Sequence, residues 1–257
     1  MFSDSYLTTW KQVKTLTLAS MKARYRKTIA GFLWVVASPI ILYCIQSVVF
    51  RKFLKLDIPD YALFLLGGLL PWIFLSSTLE MCTPMFSTRS ELLKSFKISP
   101  FVLILSQILD NFFNFLFAFI VLLIPLVFFR GRAEIGLLFL PFAMLQLLIG
   151  VTGFVSLFSL LQVFYKDVRF VIPFITNVFF FLTPIFYPID VVPDELRIFI
   201  EINPFYMMID PFRATLYFFD IHAFLPILLK GSLVSIIFAM SAWFYWRRKR
   251  NEFYLNL

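Results

Sequence analysis

Six long apolar stretches constrain this chain more than any other feature of its sequence. A helix needs about 20 apolar residues to cross the hydrocarbon core of a bilayer. The stretches of suitable length occupy residues 31–50, 61–79, 101–129, 137–163, 170–187 and 225–246. Apolar residues make up 61% of the chain, against about 45–50% in soluble proteins. The sequence therefore predicts an all-α integral membrane protein with six transmembrane helices.

The positions of lysine and arginine predict how these helices are oriented. Fifteen cations fall in the terminal segments and in the loops after spans two and four, and seven fall in the other three loops. Cytoplasmic segments carry the excess of positive charge in membrane proteins. We therefore expect both termini to be cytosolic and span one to be retained rather than cleaved as a signal peptide. The net charge of +8 follows this topology, which argues against nucleic acid as a partner.

The predicted membrane domain covers residues 1–257 as one unit. Its N-terminal part has an apolar face that includes Trp10 and Val13, which is typical of an amphipathic helix in the membrane interface. Asn203-Pro204 and Asp210-Pro211 each predict the start of a short helix between spans five and six. The parts are an interface helix with a basic segment (1–28), spans one to five (29–187), short re-entrant outer helices (188–224), span six (225–246) and a cytosolic tail (247–257).

A further short helix is predicted between spans two and three, on the cytosolic side. Thr88 or Ser90 is placed to cap it, and Pro100 ends it. Its apolar edge suits a soluble partner that docks on the membrane domain. The same pattern also fits a connector that rests on the lipid surface, so both interpretations stay open.

Span three carries four polar residues on one helical face. Gln107, Asp110, Asn111 and Asn114 are spaced three or four positions apart, and span five adds Asn177. A charge at the centre of a membrane helix is costly, so these residues predict either a polar pathway or hydrogen bonds between helices or subunits. With no intramembrane lysine, arginine or histidine identified beside it, Asp110 alone is weak evidence for a proton relay.

The sequence offers no recognisable catalytic or cofactor site. Gly131 and Gly136 have the separation of a phosphate-binding loop, but the lysine and hydroxyl residue that must follow are missing. His222 is the single histidine, and Cys44 and Cys82 lack metal-ligand spacing. We expect no cofactor and no metal, and an active transporter of this kind must obtain its energy from another chain.

Several motifs occur in the order found in one known family. The basic run 24–28 is followed by Gly31, Trp34 and Pro39, and later come Gly68-Leu-Leu-Pro-Trp72, Thr183-Pro-Ile-Phe-Tyr-Pro188, Asn203-Pro204 and Arg213. This pattern resembles the ABC-2 type polysaccharide-export permeases. Ala30, Thr183 and Lys166-Asp167 depart from the usual leucine, serine and Arg-Asp of that family, and these differences are conservative.

The resemblance implies a homodimer of six-span subunits in the bacterial plasma membrane, bound to two copies of a separate ATPase. It implies a lipid-linked polysaccharide as substrate, for example an O-antigen or a teichoic acid, and no enzymatic activity in this chain. The coupling helix that docks on the ATPase would comprise Ser90, Glu91, Leu92, Leu93, Lys94, Ser95 and Phe96. The outer gate would include Tyr187, Asn203, Pro204 and Arg213.

The basic segment before span one has two possible roles. Arg24, Arg26 and Lys27 lie at the inner surface, where they would attract the pyrophosphate head of a lipid carrier. The same cations would also serve as topology determinants without any contact to substrate.

Three other functions fit parts of the same sequence. A small-molecule or drug exporter of the same architecture would need a narrow apolar cavity. An integral membrane enzyme acting on lipid-linked sugars would use the outer acidic residues, such as Asp194 and Glu195. An ATP-independent channel would need no ATPase partner.

Overall fold

The chain folds as a bundle of helices. The structure, a computed structural model, describes residues 2–26, 31, 33–55, 57–96, 98–129, 135–217 and 219–257, and every regular element within them is helical. A π-helical segment, Val48–Phe53, extends α2, and short 3₁₀ turns precede α7 and α9. The α-helices are α1 (Phe2–Tyr25), α2 (Leu33–Ser47), α3 (Tyr61–Cys82), α4 (Met85–Thr88), α5 (Ser90–Phe96), α6 (Pro100–Phe129), α7 (Leu140–Phe164), α8 (Val168–Leu182), α9 (Asp194–Glu201), α10 (Pro204–Leu216) and α11 (Ile221–Asn256).

Five helical segments of the described chain are long and apolar enough to cross a membrane, namely Leu33–Phe53, Tyr61–Cys82, Pro100–Val127, Ile135–Phe164 and Ile221–Asn256. The prediction of a multi-pass, all-α membrane protein is therefore confirmed. The remaining predicted span corresponds to α8, which has only 15 residues and ends at Leu182 rather than at residue 187. Pro184 explains the early end, because it disfavours helical backbone at Thr183, which is extended at φ −92° and ψ 126°.

Helix α3 lies at the centre of the bundle. The apolar stretch of α3 is 78% buried inside the protein, whereas that of the segment Leu33–Phe53, which contains α2, is only 6% buried. A helix that is apolar on all sides is stable only in an apolar environment, which protein supplies for α3. The exposed apolar side chains of α2 suit contact with lipid instead.

Small and polar residues hold α7 against α11. A Cβ atom at Gly153 would lie 2.4 Å from the backbone nitrogen of Ala239, so the two helices approach closely only because residue 153 has no side chain. Gln146 Nε2 donates a hydrogen bond to Ser235 Oγ at 3.0 Å. This polar residue of span four therefore joins helices, which is one of the two roles expected for polar groups in the spans.

The segment between α8 and α11 contains short helices, as predicted. Asn203 caps α10 by accepting hydrogen bonds from the backbone nitrogens of Phe205 and Tyr206, which confirms the predicted start at Asn203-Pro204. The predicted start at Asp210-Pro211 is wrong, because Pro211 lies inside α10. Pro211 has no N–H for the carbonyl of Met207, and that carbonyl instead faces α11, where a Cβ at Gly231 would approach it to 2.4 Å.

Helix α1 packs along α6 through a face that includes Val13 but not Trp10, so it overlaps the predicted apolar face only in part. Val13 and Thr17 are buried, and Thr17 Oγ1 donates to the backbone carbonyl of Ser106 at 3.2 Å. Trp10, which the sequence placed with Val13, is 59% exposed. The contact with α6 therefore leaves the tryptophan available for the membrane interface.

Helix α11 continues beyond the predicted span and includes residues 247–256 of the segment that was expected to be a tail. Its 36 residues correspond to a length of about 54 Å. Near its C-terminal end, the buried ring of Phe253 packs edge-on against Phe86 of α4, with 5.2 Å between ring centroids. Hydropathy did not reveal this continuation because the added turns are polar.

Candidate functional site

A buried ion pair connects α1 with α6. Arg24 Nη2 lies 2.5 Å from Asp110 Oδ2 and 2.7 Å from Asn111 Oδ1. The side chain of Asp110 is 1% exposed and that of Arg24 is 29% exposed. A buried charge that loses its partner is strongly destabilising, so this pair fixes where α1 lies on the bundle.

Neighbouring polar side chains complete the cluster around this pair. Gln107 Nε2 donates to Asp110 Oδ2 at 3.1 Å, and Asn111 Nδ2 donates to Thr78 Oγ1 of α3 at 3.1 Å. Three of the polar residues predicted on span three are therefore brought together with Arg24. Asp110 therefore has a cationic partner, which comes from α1 and lies outside the predicted spans.

Two cavities lie on either side of Arg24. The first, here called the Arg89 cavity, has a volume of about 480 Å³ and is lined by Leu16, Ala19, Ser20, Ala23, Arg24, Met81, Arg89, Gln107 and Asp110. The second, here called the Trp34 cavity, has a volume of about 160 Å³, and its lining includes Arg24, Trp34, Ser38, Ser77, Asn111 and Asn114. Polar residues thus continue from one cavity to the other past the ion pair.

Two other residues predicted for the path and for the head group, Asn177 and Arg26, are exposed. Asn177 is exposed on α8, where its Nδ2 donates to the carbonyl of Pro173 at 2.8 Å, and it lines neither cavity. Arg26 is exposed, and Lys27 lies outside the described residues. Among the described residues of the basic segment, Arg24 is the one whose hydrogen bonds reach span three.

The predicted docking segment forms helix α5 with the predicted bounds, Ser90–Phe96. Leu93 is buried, and its N–H donates to the carbonyl of Arg89 at 3.2 Å. Glu91, Lys94 and Ser95 are exposed, Ser90 and Leu92 are partly buried, and the side chain of Phe96 lies outside the described residues. Helix α5 thus attaches to the bundle through one edge and presents charged residues on the other.

The predicted gate residues surround the irregular segment 183–188. Arg213 Nη1 donates to the carbonyl of Pro184 at 2.7 Å, and its Nη2 donates to that of Ile185 at 3.1 Å. Asn203 Nδ2 donates to Thr183 Oγ1 at 3.0 Å, and partly buried Pro204 begins α10. Tyr187 donates from its hydroxyl to the carbonyl of Phe181 at 3.0 Å. The contacts of Tyr187 and Arg213 give hydrogen-bond donors to backbone carbonyls at and just beyond the C-terminal end of α8.

Sequence reasoning missed Lys230 of α11. This lysine falls within predicted span six, was left out of the count of loop cations, and lines a cavity of about 130 Å³ with Glu201, Tyr206 and Asp210. Burial raises the pKa of Asp210, and the charge of Arg213 and a hydrogen bond from Tyr206 oppose that shift. A single lysine in an apolar run was the signal that should have drawn attention to this position.

Sequence reasoning also missed Glu80, because the predicted second span ended at residue 79. Helix α3 continues to Cys82, and Thr176 Oγ1 of α8 donates to Glu80 Oε1 at 2.5 Å. This contact ties the short helix α8 to the central helix.

The helical bundle and its polar cluster define a multi-pass membrane protein with an interior lined by hydrogen-bonding groups. Residues 11–217 match the profile of the ABC-2 type transporter family, and the chain belongs to that family. The predicted resemblance is thereby confirmed at family level. Membership makes the chain a membrane component of a transporter rather than an enzyme, and it implies pairing with an ATP-binding subunit.

Relatives with assigned names support the same classification. The chain is 25% identical to the O-antigen export system permease protein RfbA of Myxococcus xanthus over 93% of its own length and 92% of that protein. It is 27% identical to a protein of the same name from Klebsiella pneumoniae, over 77% of each chain. A second Klebsiella pneumoniae protein of this name is 26% identical over the same shares.

Proposed function

We propose that this chain is the membrane subunit of an exporter that moves a lipid-linked polysaccharide, such as an O-antigen, outward across the bacterial plasma membrane. The observation that carries the proposal is the similarity to named O-antigen permeases across nearly the whole chain. Two subunits would form the conduit, α8 would serve as the sixth span despite its length, and both termini would face the cytosol. The excess of cations near the termini supports this orientation.

Energy would come from two copies of a separate ATPase that dock on α5. The exposed charges of Glu91 and Lys94 and the buried attachment through Leu93 support this role. A docking helix must pass force to the membrane domain, and a helix fixed by a buried side chain does so better than a mobile loop. Glu91, Leu92, Leu93, Lys94 and Ser95 would form the interface together with Ser90 and Phe96.

The lipid head group would enter near Arg24, Arg26 and Lys27. Arg24 is already held by Asp110 and Asn111, yet it lines both cavities, so it would meet a head group as an oriented rather than a mobile cation. An oriented guanidinium loses less conformational entropy when it binds phosphate.

The path and the gate would be formed by two separate groups of residues. Gln107, Asp110, Asn111 and Asn114 would mark the path in each subunit, with Asn177 contributing from α8. The outer gate would comprise Tyr187, Asn203, Pro204 and Arg213, because all four lie around the irregular segment 183–188 that follows α8. The hydrogen bonds that Tyr187 and Arg213 donate to backbone carbonyls, and the one that Asn203 donates to Thr183 Oγ1, support this role, since none of them joins two opposite charges.

The experiment is an export assay in cells that lack this chain. Lipid-linked polysaccharide should accumulate at the inner leaflet, and the wild-type chain should restore it to the cell surface only when the partner ATPase is active. Restored efflux of small dyes with unchanged surface glycan would instead favour a drug exporter. An altered glycan structure would favour an enzyme, and export without the ATPase would favour a channel.

A further inference from the structure

The Arg89 cavity contains a combination of charges that the proposed path does not explain. Two cations, Arg24 and Arg89, and one carboxylate, Asp110, line the same space of about 480 Å³. Arg89 lies between α4 and α5, and no pattern in the sequence predicts that it lies near Asp110. One positive charge remains after the carboxylate is paired, so the cavity favours an anion.

The second oxygen of Asp110 is the observation that points to a ligand. Oδ2 accepts from Arg24 and Gln107, whereas Oδ1 is buried without a hydrogen-bond partner among the described residues. A buried carboxylate oxygen that lacks a donor is costly, and such orphaned groups call for a specific explanation. A ligand that donates a hydrogen bond into the Arg89 cavity would satisfy this atom.

We propose that the Arg89 cavity binds a phosphate ester that carries a hydrogen-bond donor close to the phosphate. The phosphate would lie between the guanidinium groups of Arg24 and Arg89, since Arg binds phosphate through several parallel N–H donors. The neighbouring hydroxyl or amide would donate to Asp110 Oδ1. The volume falls within the range of small-molecule sites, about 300–1,000 Å³.

The rest of the lining fits an amphipathic ligand. The small side chains of Ala19 and Ala23 line the cavity on the side of α1. Leu16 and Met81 supply an apolar surface for the lipid part of the ligand. The first sugar of a lipid-linked glycan and the glycerol of a phospholipid both combine phosphate with hydroxyl groups. The site goes beyond the proposed function, but its assignment to the glycan carrier rests on that function.

The position of Arg89 gives the site a connection to the partner. Its carbonyl accepts the hydrogen bond from Leu93 in α5, so Arg89 belongs both to the cavity and to the entry of the docking helix. Occupation of the cavity would therefore be sensed where the ATPase docks.

The test uses the complex of permease and ATPase in phosphatidylcholine nanodiscs without nucleotide. Binding is titrated by native mass spectrometry with polyprenyl pyrophosphate bearing one hexose, the bare polyprenyl pyrophosphate, the polyprenyl alcohol and phosphatidylglycerol. We expect the hexose-bearing lipid to bind and the alcohol not to bind. Arg89→Gln should weaken binding about tenfold or more, because one charge-assisted hydrogen bond is lost. Lys22→Gln removes the same charge from the exposed side of α1 and should leave binding unchanged.

Asp110→Asn tests whether the ligand donates a hydrogen bond to this carboxylate. It keeps an oxygen for Arg24 but removes the charged acceptor, so the preference for the hexose-bearing over the bare pyrophosphate should disappear. Unchanged affinity in Arg89→Gln, with an unfolding temperature equal to the wild type, would overturn the proposal, as would equal weakening by Lys22→Gln. If phosphatidylglycerol binds as tightly as the hexose-bearing lipid, the site stands as a phospholipid site and the proposed substrate loses support. If no phosphate lipid binds the wild type, the site is wrong even where the export assay succeeds.

Discussion

Gly68 of α3 lies directly against the guanidinium group of Arg213. A Cβ atom at position 68 would be 2.6 Å from Arg213 Nη2, which is closer than real Cβ atoms approach. Arg213 also lies over the ring of Phe64, 4.2 Å from its centroid. The glycine in the second-span motif and the arginine of the late motif are therefore parts of one contact, although they are far apart in sequence.

Gly68→Ala should displace Arg213 from the carbonyls of Pro184 and Ile185. We expect a loss of stability of about 1–3 kcal/mol, because overpacking and buried carbonyls without donors are both costly. The measurement is thermal unfolding of the purified chain in detergent. Gly67→Ala is the matched control, since its Cβ would meet only Leu216 Cδ1 at an ordinary 3.4 Å. Equal effects of the two substitutions would contradict the assignment.

Asp110→Ala should destabilise the fold by about 3–5 kcal/mol, because it leaves the charge of Arg24 partly buried without its partner. Arg24→Ala should cost a similar amount for the converse reason. The double substitution should cost less than the sum of the two single ones, since no unpaired charge remains. Unfolding in a double-mutant cycle measures this coupling, and strict additivity would show that the two residues do not interact.

Charge reversal on α5 should weaken docking of the ATPase. The combined substitution Glu91→Lys and Lys94→Glu preserves net charge but exchanges the signs that a partner surface meets, so affinity should fall about tenfold. Co-purification of a tagged ATPase with the permease provides the measurement. Lys14→Glu, on the exposed side of α1, serves as the control, and undiminished co-purification of the reversed variant would remove α5 from the interface.

Stability should depend on pH through Asp210. Its pKa in the folded state is raised, chiefly by burial, so the folded state binds the proton more tightly than the unfolded state does. The stabilising contribution of this group is therefore complete below the unfolded value of about 3.9 and is lost as pH rises through the higher folded value. Asp210→Asn should flatten this part of the unfolding profile. Asp194→Asn, on a largely exposed carboxylate, should leave it unchanged, and a profile that Asp210→Asn does not alter would count against the predicted linkage.

The apolar pattern predicted the parts of the fold that local sequence determines. The start of α3, the approximate extent of α7, the presence of a short helix between spans two and three and the cap at Asn203 follow from hydropathy and capping residues close in sequence. The ion pair between Arg24 and Asp110 was beyond this reasoning, because it joins positions 86 residues apart and because a cation in a basic segment is normally explained by topology. The polar residues of span three were recognised as a group, but only tertiary packing reveals which helix supplies their partner.

The failures share a physical cause. Hydropathy identifies only the apolar part of a helix. It therefore missed Glu80 at the end of α3 and the polar turns of α11. Pro211 was expected to begin a helix because proline favours that position, yet packing against α11 stabilises it within α10. For Pro211, a contact with α11 therefore overrode the local preference.

The length of α11 has a mechanical consequence. An uninterrupted rod of about 54 Å exceeds the hydrocarbon thickness of about 30 Å, so it can pivot about a point inside the bilayer. The ring contact between Phe86 and Phe253 joins the C-terminal end of α11 to α4, the short helix that precedes α5. A tilt imposed there would swing the opposite end, beside α10, the other way, without any change in the helix itself.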